Sequence, residues 1–316
     1  MNDIFKFNFD VSEPLKISNL IFYGISSRME TEENNYLSLP NAVEQNLVDV
    51  DEISTDGMVE SLKVTNKSPQ KLLILDSEQI VGTKLKQNRV VNTTILVPGH
   101  TTINIPTSCC EQHRWSPIQS NRFSVSESLY FVEGRINRFS DMYHSPQAKQ
   151  ADQYRIWSEI DDKLDEFNTS SYTSSVDRAY QKKKSHIEKI VKSFQPEPQD
   201  IGVVYGVGNR LIGMDIFSSN QIFRTYLPKI IRSVALDSFK RQNVQSSLSK
   251  KDALKFFELV RRADKQEHKA VKGALGQEIR FDDEMIVGSG LFYKQKAVHF
   301  AAFLKDQEAQ MEYRVA

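Results

Sequence analysis

Cysteine is scarce in this sequence. The two cysteines are adjacent, at positions 109 and 110, and no second pair occurs elsewhere. Neighbouring cysteines give poor ligand geometry, so we expect no bound metal and no cofactor. Two cysteines in a chain of this length also favour a reducing cytoplasm, where free cysteines usually serve as small buried hydrophobic residues.

An excess of one charge sign is also missing. Lys and Arg together number 41, as do Asp and Glu, so no global field would hold nucleic acid or an anionic membrane. No apolar run reaches membrane-spanning length, and the acidic, interrupted start lacks the apolar core of a signal peptide. We therefore expect no membrane association and a poor fit to nucleic acid, while the oligomeric state stays open.

A dinucleotide-binding loop is missing as well. Glycines lie close together at 202, 206, 208 and 213. No G-x-G-x-x-G precedes a helix here, however, and the run after Gly208 has strand character. Gly208-Asn209 is instead a tight-turn pair between two apolar runs, which predicts a β-hairpin over residues 201–217.

The first half of the chain contains a series of short strands. Segments with strand character, separated by turn residues, are 15–25, 48–53, 58–64 and 71–75. Several short strands at regular spacing predict a β-sandwich-like antiparallel lobe, which we place at residues 1–147. Residues 116–147 are polar and irregular, and we interpret them as a long loop that covers a site or crosses the surface.

The second half is predicted to be helical and then to return to strands. Apolar residues recur at helical spacing over 150–167, 176–194, 220–239 and 250–263. Two final strands follow, and His299 alternates with apolar residues on the last one, which favours a hydrogen-bonded sheet histidine over a catalytic one. We predict an α+β fold in which helices and two β-hairpins, in residues 148–316, follow the antiparallel lobe, an arrangement that lets both lobes share one core.

The most distinctive stretch runs from Glu78 to Trp115. Residues 90–97 are rich in β-branched side chains and end at a Pro-Gly turn, and residues 101–106 alternate apolar and polar positions. The short turn between these runs predicts an antiparallel hairpin. One polar cluster, Gln87-Asn88-Arg89, precedes the first strand, and a second, Glu111 to Trp115, follows the other strand. We therefore expect both clusters at the same end of the hairpin.

The clustered side chains suit an anionic ligand that also forms hydrogen bonds. Arg89 and Arg114 are fork-shaped cations that fit phosphate or carboxylate groups. Amides that can donate to and accept from a sugar or nucleobase are Gln87, Asn88, Asn92 and Gln112.

Further residues of the stretch offer chemistry or stacking. Glu78 and Glu111 are the candidate catalytic acids or bases. Trp115 could stack on a ring or close the core. Cys109 could act as a nucleophile activated by a neighbouring cation, although buried cysteines are usually inert. The plain alternative is that these polar groups bond loop backbone and one another.

Four blocks of the sequence resemble a known family. The blocks are GTKLKQNRVVNTTILVPG, IPTSCCEQHRW, GNRLIGMDIF and GLFYKQKAVHFAAF. They are similar to the bacterial domain family named for its association with ADP-ribosylglycohydrolases and with rhodanese and phosphatase-superfamily proteins. The matched positions are Gln87, Asn88, Arg89, Asn92, Cys109, Glu111, Gln112, Arg114 and Trp115. The chain departs from the pattern where Leu85-Lys86 add a pair, Cys110 replaces an apolar residue and His113 replaces a glycine.

The resemblance implies a neighbourhood of ADP-ribose and phosphate chemistry. We therefore hypothesise that the chain binds or senses a small anionic ligand such as ADP-ribose or NAD. One alternative is a hydrolase or transferase acting on the same ligand class, with Glu78 or Glu111 as base and the two arginines on phosphate. A structural interaction module, for which Arg89 and Arg114 would be dispensable, is a third hypothesis.

Overall fold

The computed structural model describes residues 9–27, 36–53, 60–81, 87–111, 123–145, 149–169, 175–239 and 246–305. This part of the chain contains six α-helices and eighteen β-strands, and nearly all strand pairs are antiparallel. The predicted α+β class is confirmed.

The elements follow one another in chain order, with strands concentrated at both ends. The strands are β1 (Phe9–Val11), β2 (Leu15–Ile17), β3 (Leu20–Ser27), β4 (Tyr36–Ser38), β5 (Val48–Glu52), β6 (Ser61–Asn66), β7 (Lys71–Ile74), β8 (Glu78–Val81), β9 (Arg89–Val91), β10 (Ile95–Val97), β11 (Thr101–Cys109), β12 (Ser124–Leu129), β13 (Asp200–Val207), β14 (Arg210–Phe217), β15 (Gln266–Lys269), β16 (Gln277–Asp282), β17 (Ile286–Tyr293) and β18 (Lys296–Leu304). The helices are α1 (Leu39–Glu44), α2 (Val132–His144), α3 (Gln153–Glu166), α4 (Asp177–Ser193), α5 (Asn220–Ser238) and α6 (Lys250–Arg262).

The largest sheet joins the beginning of the chain to its end. Its nine strands run in the order β1-β3-β13-β14-β18-β17-β16-β15, with β2 paired to β3 outside that path. The β3–β13 pairing extends from Leu20 opposite Val207 to Ser26 opposite Asp200. Strands from both sides of residue 147 therefore share one sheet, while the division into two lobes at that residue stays a prediction.

This sheet separates two hydrophobic cores. On one face, Phe256 and Val260 of α6 pack with sheet residues such as Met214. On the other face, helices α2 to α5 pack with sheet residues such as Val203 and Phe217. Burial of these apolar faces is the main stabilising contribution. The second face also carries the polar residues described below.

Two smaller sheets carry the distinctive stretch. One has the order β12-β8-β9-β11-β6-β5 and the other β10-β7-β4. Residues 90–97 do not form a single strand, because β9 pairs with β11 at residues 107–109 and β10 pairs with β7. Residues 101–106 pair with β6 instead. The predicted hairpin is therefore formed only in part: β9 pairs antiparallel with β11 and the Asn92 N–H donates to the Pro106 carbonyl at 3.2 Å, but residues 95–97 pair with β7 instead.

The strand breaks at three buried polar residues, Asn92, Thr93 and Thr94. Their side chains form hydrogen bonds to other parts of the chain, including Thr93 to Glu278 at 2.7 Å and Thr94 to Asp76 at 3.1 Å. Buried hydroxyls and amides require such partners. Satisfying them directs the chain from one sheet into the next.

The predicted loop over 116–147 is also wrong, since its described part contains β12 and the thirteen-residue helix α2. Asp237 of α5 caps the start of α2, because its Oδ2 accepts the Val132 N–H at 2.7 Å. Apolar residues of α2 do recur at helical spacing, but Arg135 and Arg138 are buried on the same side. Two arginines on the inner face hide the helical pattern of this segment.

Elements with strong local signals are confirmed. Gly208 adopts a φ of 57° in the turn between β13 and β14. The capping box of α6 is present, with Asp252 accepting from the Ser249 N–H at 2.9 Å. None of the helices in the described residues combines the length and apolar character needed to cross a bilayer.

Candidate functional site

We call the stretch from Glu78 to Trp115 the motif. The β9–β11 ladder brings its two polar clusters together. Arg89 lies opposite Cys109 in the register. Beside this pair, the Cys110 N–H donates to the Asn88 carbonyl at 3.0 Å, and Glu111 Oε2 accepts the Asn88 N–H at 3.2 Å. Antiparallel pairing places the start of one strand against the end of its neighbour. The expected meeting of the clusters therefore occurs for the described residues, although through a different ladder.

Part of the predicted site cannot be placed in this way. Gln112, Arg114 and Trp115 lie outside the described residues, as does His113. Their participation stays a prediction.

The Arg89 side chain is buried within the motif and retains unused hydrogen-bonding capacity. Its exposed fraction is 1%. Nη1 donates to the Gln87 carbonyl at 3.0 Å, while Nη2 lies 3.6 Å from Glu52 Oε1. Nε has no hydrogen-bond partner among the described residues. The Nε–Nη2 edge is thus the less engaged edge, and this edge can hold a carboxylate or phosphate in a bidentate manner.

Both ends of the buried Asn92 amide form hydrogen bonds within the protein. Its Oδ1 accepts from Ser108 Oγ at 2.9 Å, and its Nδ2 donates to the Lys149 carbonyl at 3.2 Å. Gln153 of α3 forms hydrogen bonds with both backbone groups of Cys109, each at 2.8 Å. These contacts match the plain alternative, in which polar side chains hold backbone segments in place.

Glu78 lies apart from Glu111. It is fully buried in β8, and its Oε2 accepts from Lys229 Nζ of α5 at 2.5 Å. Burial raises the pKa of Glu78, and the Lys229 ammonium opposes that effect. Oε1 has no hydrogen-bond partner in the described part of the chain. The two candidate acids therefore face different surroundings and do not form a pair.

The two cysteines are reduced and buried. Burial raises the pKa of Cys109 to about 11, although Arg89 lowers it in part, and burial raises the pKa of Cys110 well above its usual value. The Cys109 thiol donates to Gln87 Oε1 at 2.7 Å. Because the thiolate is the reactive form, these surroundings argue against a cysteine nucleophile.

A further polar cluster, separate from the motif and not predicted from the sequence as a unit, lies on one face of the nine-stranded sheet. We call it the polar row. Its members, from β13 to the edge strand β15, are Tyr205, Asp215, His299, Ser289, Glu278, Arg280 and His268. The row crosses six strands and is covered by α2 and the segment around Thr94.

Arg135 of α2 occupies the inner end of the polar row. Its guanidinium donates to Asp76 at 2.5 and 3.0 Å and to Asp215 at 2.7 and 2.9 Å. Burial would raise the pKa of both carboxyls, but the Arg135 charge holds each pKa below its usual range. His299 lies 2.9 Å from Asp215 and 3.0 Å from Thr94 Oγ1, so it is hydrogen-bonded in the sheet as predicted.

The sequence contains only a weak signal for this row. Asp215 and His299 each interrupt an apolar strand, which marks them as buried polar residues in need of partners. The partners themselves are far away along the chain, since 84 residues separate Asp215 from His299 and 205 separate Thr94 from His299. Single-sequence patterns do not connect residues at that distance.

A shallow cleft of about 260 Å³ opens between β12, α4 and α5. Two ion pairs, Lys184 with Glu127 and Arg232 with Glu188, lie on its wall, and Asp177 also lines it. None of the predicted site residues that the structure describes lines this cleft. Among the described residues no group of His, Cys, Asp and Glu is placed to hold a metal ion.

Comparison with known proteins places this arrangement in a family. No curated protein and no solved structure matches the chain. The family model of the ARG and Rhodanese-Phosphatase-superfamily-associated Protein domain matches residues 8–303. That span contains the motif, the polar row and all three sheets, and the chain belongs to this family.

Proposed function

We propose that this protein binds or senses a small anionic ligand of the sugar-phosphate class, such as ADP-ribose or NAD, at the motif. The main support is the state of Arg89. Among the described residues, Nε of its buried guanidinium has no hydrogen-bond partner and Nη2 forms only a 3.6 Å ion pair, with Glu52, beside the amides that precede β9. A buried donor without an acceptor is unfavourable, and an anionic ligand group supplies the acceptor.

The family name supports the ligand class. It associates the domain with ARG and rhodanese-phosphatase-superfamily proteins, which points to ADP-ribose and phosphate chemistry nearby. In this proposal Gln87, Asn88 and Gln112 contact the sugar or base, Arg89 and Arg114 contact phosphate, and Trp115 stacks on a ring. Asn92, whose amide already bonds Ser108 and the Lys149 carbonyl, holds the surrounding segments in place.

A hydrolase or transferase acting on the same ligand is the second candidate. The observation that favours it is Glu78, whose pKa is raised by burial and whose Oε1 has no partner among the described residues. Buried carboxyls of this kind are common at active sites, although the Lys229 ion pair also fits a structural role.

The test is a thermal-shift and calorimetry panel with ADP-ribose, NAD, AMP and ribose 5-phosphate, followed by product analysis. A ligand that prefers the folded state raises the melting temperature by mass action. We expect stabilisation by at least one of these ligands, without turnover, and a loss of binding of roughly tenfold or more in Arg114→Ala. Arg261→Ala, which removes an exposed arginine of α6, is the matched control.

The panel also separates the alternatives. Turnover that disappears in Glu78→Gln would identify the enzyme. A chain that no ligand stabilises, and whose partner binding survives both Arg89→Ala and Arg114→Ala, would be a structural interaction module, and the proposal would be abandoned.

A further inference from the structure

Five charged or polar side chains lie together at the outer end of the polar row. Glu278 Oε1 accepts from Arg280 Nε at 2.7 Å and from Thr93 Oγ1 at 2.7 Å, and Oε2 accepts from Lys149 Nζ. His268 lies directly opposite Glu278 on the edge strand β15. Both oxygens of the carboxylate are therefore occupied, and the carboxylate orients the cations around it.

The Arg280 guanidinium is held in place with one donor unused. The residue is 1% exposed, and its Nη1 donates to the Met142 carbonyl near the end of α2 at 2.6 Å. Nη2 has no hydrogen-bond partner in the described residues. The buried Nε2 of His268 likewise has none among them. Buried polar atoms in native proteins nearly always have partners, so two such atoms without partners on the adjacent strands β15 and β16 point to a missing group.

The local charge shows which kind of group is missing. Arg280 and Lys149 place two cations beside the single carboxylate of Glu278, and the side-chain exposed fractions of these three are 1%, 16% and 3%. Burial and the Arg280 charge lower the pKa of Lys149, and the same two effects lower the pKa of His268. Cations that repel one another in a buried place favour an added anion.

We propose that Arg280, Lys149 and His268 form a binding subsite for a phosphate group, in which Glu278 positions the first two. Arg280 Nη2 and Lys149 Nζ donate to the phosphate oxygens, and His268 Nε2 donates to them in its protonated form. We call this the phosphate subsite. Asn92 connects it to the motif, because Asn92 Nδ2 donates to the Lys149 carbonyl.

The inference rests on the proposed function in one respect only. If the motif holds one part of a sugar-phosphate, the phosphate subsite holds a phosphate group at the other end of the same ligand. The part of inorganic-phosphate binding that is lost in Lys149→Gln reports on the subsite alone, because Lys149 pairs with Glu278 and is not one of the phosphate-contacting arginines of the motif. The two ideas can therefore fail separately.

Inorganic phosphate is the probe, measured by calorimetry and by the nitrogen resonances of the His268 ring across a pH titration. We expect saturable binding that raises the pKa of His268, because a bound anion favours the imidazolium. Lys149→Gln should weaken phosphate binding roughly ten- to hundredfold, as expected for loss of a charge-assisted contact. His268→Gln should weaken it by a smaller factor.

Lys269→Gln is the matched control. It removes the same charge from the residue next to His268, which is exposed and on the opposite side of β15. We expect it to leave phosphate binding unchanged. Lys149 and His268 are chosen over Arg280 because both are partly exposed, so their variants retain the fold, which urea unfolding verifies.

Each outcome decides one of the two ideas. Absence of saturable phosphate binding, or equal binding by the wild type and Lys149→Gln, overturns the subsite. Equal binding of ADP-ribose by the wild type and by Lys149→Gln would contradict the subsite and support the proposed function. If phosphate binding depends on Lys149 but the protein binds neither ADP-ribose nor NAD, the subsite is supported and the proposed function is contradicted.

Discussion

Arg135 and Asp215 form a bidentate pair, with Nη1–Oδ2 at 2.9 Å and Nη2–Oδ1 at 2.7 Å, although 80 residues separate them in the chain. The same guanidinium also binds Asp76, in the turn before β8. One side chain of α2 therefore connects the nine-stranded sheet to the smaller sheets that carry the motif. All three residues are at most 2% exposed.

Removal of Arg135 is expected to destabilise the fold strongly. Arg135→Met leaves two buried carboxylates without their cation and should lower the free energy of unfolding by about 3–5 kcal/mol. Arg135→Lys should recover little of this, because an ammonium lacks the planar fork that reaches both partners. Urea unfolding measures both. Arg155→Met, in a half-exposed pair with Asp141, should change stability by less than about 1 kcal/mol. A similarly small effect for Arg135→Met would contradict the prediction.

Glu278 is expected to make stability fall at low pH. Burial would raise its pKa, but Arg280 and Lys149 lower it to about 2. A carboxyl with a lowered folded-state pKa contributes stability that is present above its ordinary pKa and is lost as the pH falls through the folded value. The contribution, roughly 3 kcal/mol, should therefore decline between about pH 5 and pH 2.

Urea unfolding at a series of pH values tests this contribution. Glu278→Gln should flatten the dependence of the unfolding free energy on pH in that window, although Asp76 and Asp215 keep part of it. Glu267→Gln, an exposed change on the neighbouring strand, should retain the full slope. Equal slopes for Glu278→Gln and the wild type would show that the prediction is wrong.

Glu159, in contrast to Glu278, is expected to make stability fall as the pH rises. Burial raises its pKa to about 7, and its Oε2 has no partner among the described residues, while Oε1 accepts from Asn137. The folded state then holds an extra proton between about pH 4.5 and 7, so this residue makes stability fall as the pH rises through that window.

Glu159→Gln should therefore stabilise the protein at pH 8 by roughly 1–3 kcal/mol, an amount that allows for partial exposure, and have little effect at pH 4. Thermal unfolding at both pH values measures the difference. Glu258→Gln on the exposed face of α6 should show no such contrast. Destabilisation by Glu159→Gln at pH 8 would mean that the carboxylate is needed in its charged form.

Cys109 and Cys110 should be unreactive while the protein is folded. Both are buried, and burial raises the pKa of both thiols. Labelling by a thiol reagent at pH 8 should be slower than in urea by at least about a hundredfold, because it requires opening of the structure. Rapid labelling of Cys109 in the native protein, assigned by mass spectrometry, would restore the nucleophile hypothesis.

The contributions of Glu78 and Lys229 to the free energy of unfolding should be strongly coupled. Lys229→Met leaves the fully buried Glu78 without its cation and should cost about 3–5 kcal/mol, whereas Glu78→Leu combined with Lys229→Met should recover most of that loss. Urea unfolding of the two single variants and the double variant gives the coupling energy. Additive losses would mean that the 2.5 Å contact contributes no coupling.

Features that depend on residues close together in the chain were predicted correctly, whereas features that depend on residues far apart in the chain were missed. The turn at Gly208 and the helix over 250–263 depend on residues close together in the chain, and both were predicted correctly. The helix α2 was missed because Arg135 and Arg138 occupy its buried face. Their acceptors, Asp76 and Ser77, lie 59 and 61 residues away.

The arrangement of the motif was predicted only in part. Its two clusters were expected to meet because a strand pair aligns the ends of adjacent strands, and Arg89 does lie opposite Cys109. The actual ladder could not be predicted, since Asn92 to Thr94 leave the strand to reach distant partners such as Glu278 and His299. The partner of Glu78, Lys229, lies 151 residues further along the chain and could not be predicted from neighbouring residues.

The amino-acid sequence by itself determined the α+β class, most helices, the tight hairpin of the second half and membership of the family, because periodicity, turn chemistry and motif spacing are local properties. Only the tertiary structure decided that the first and last strands share a sheet, that α2 carries a buried guanidinium, and that a polar row ends in two cations beside one carboxylate. Buried charges require partners, and those partners are chosen by packing across the whole chain rather than by neighbours along it.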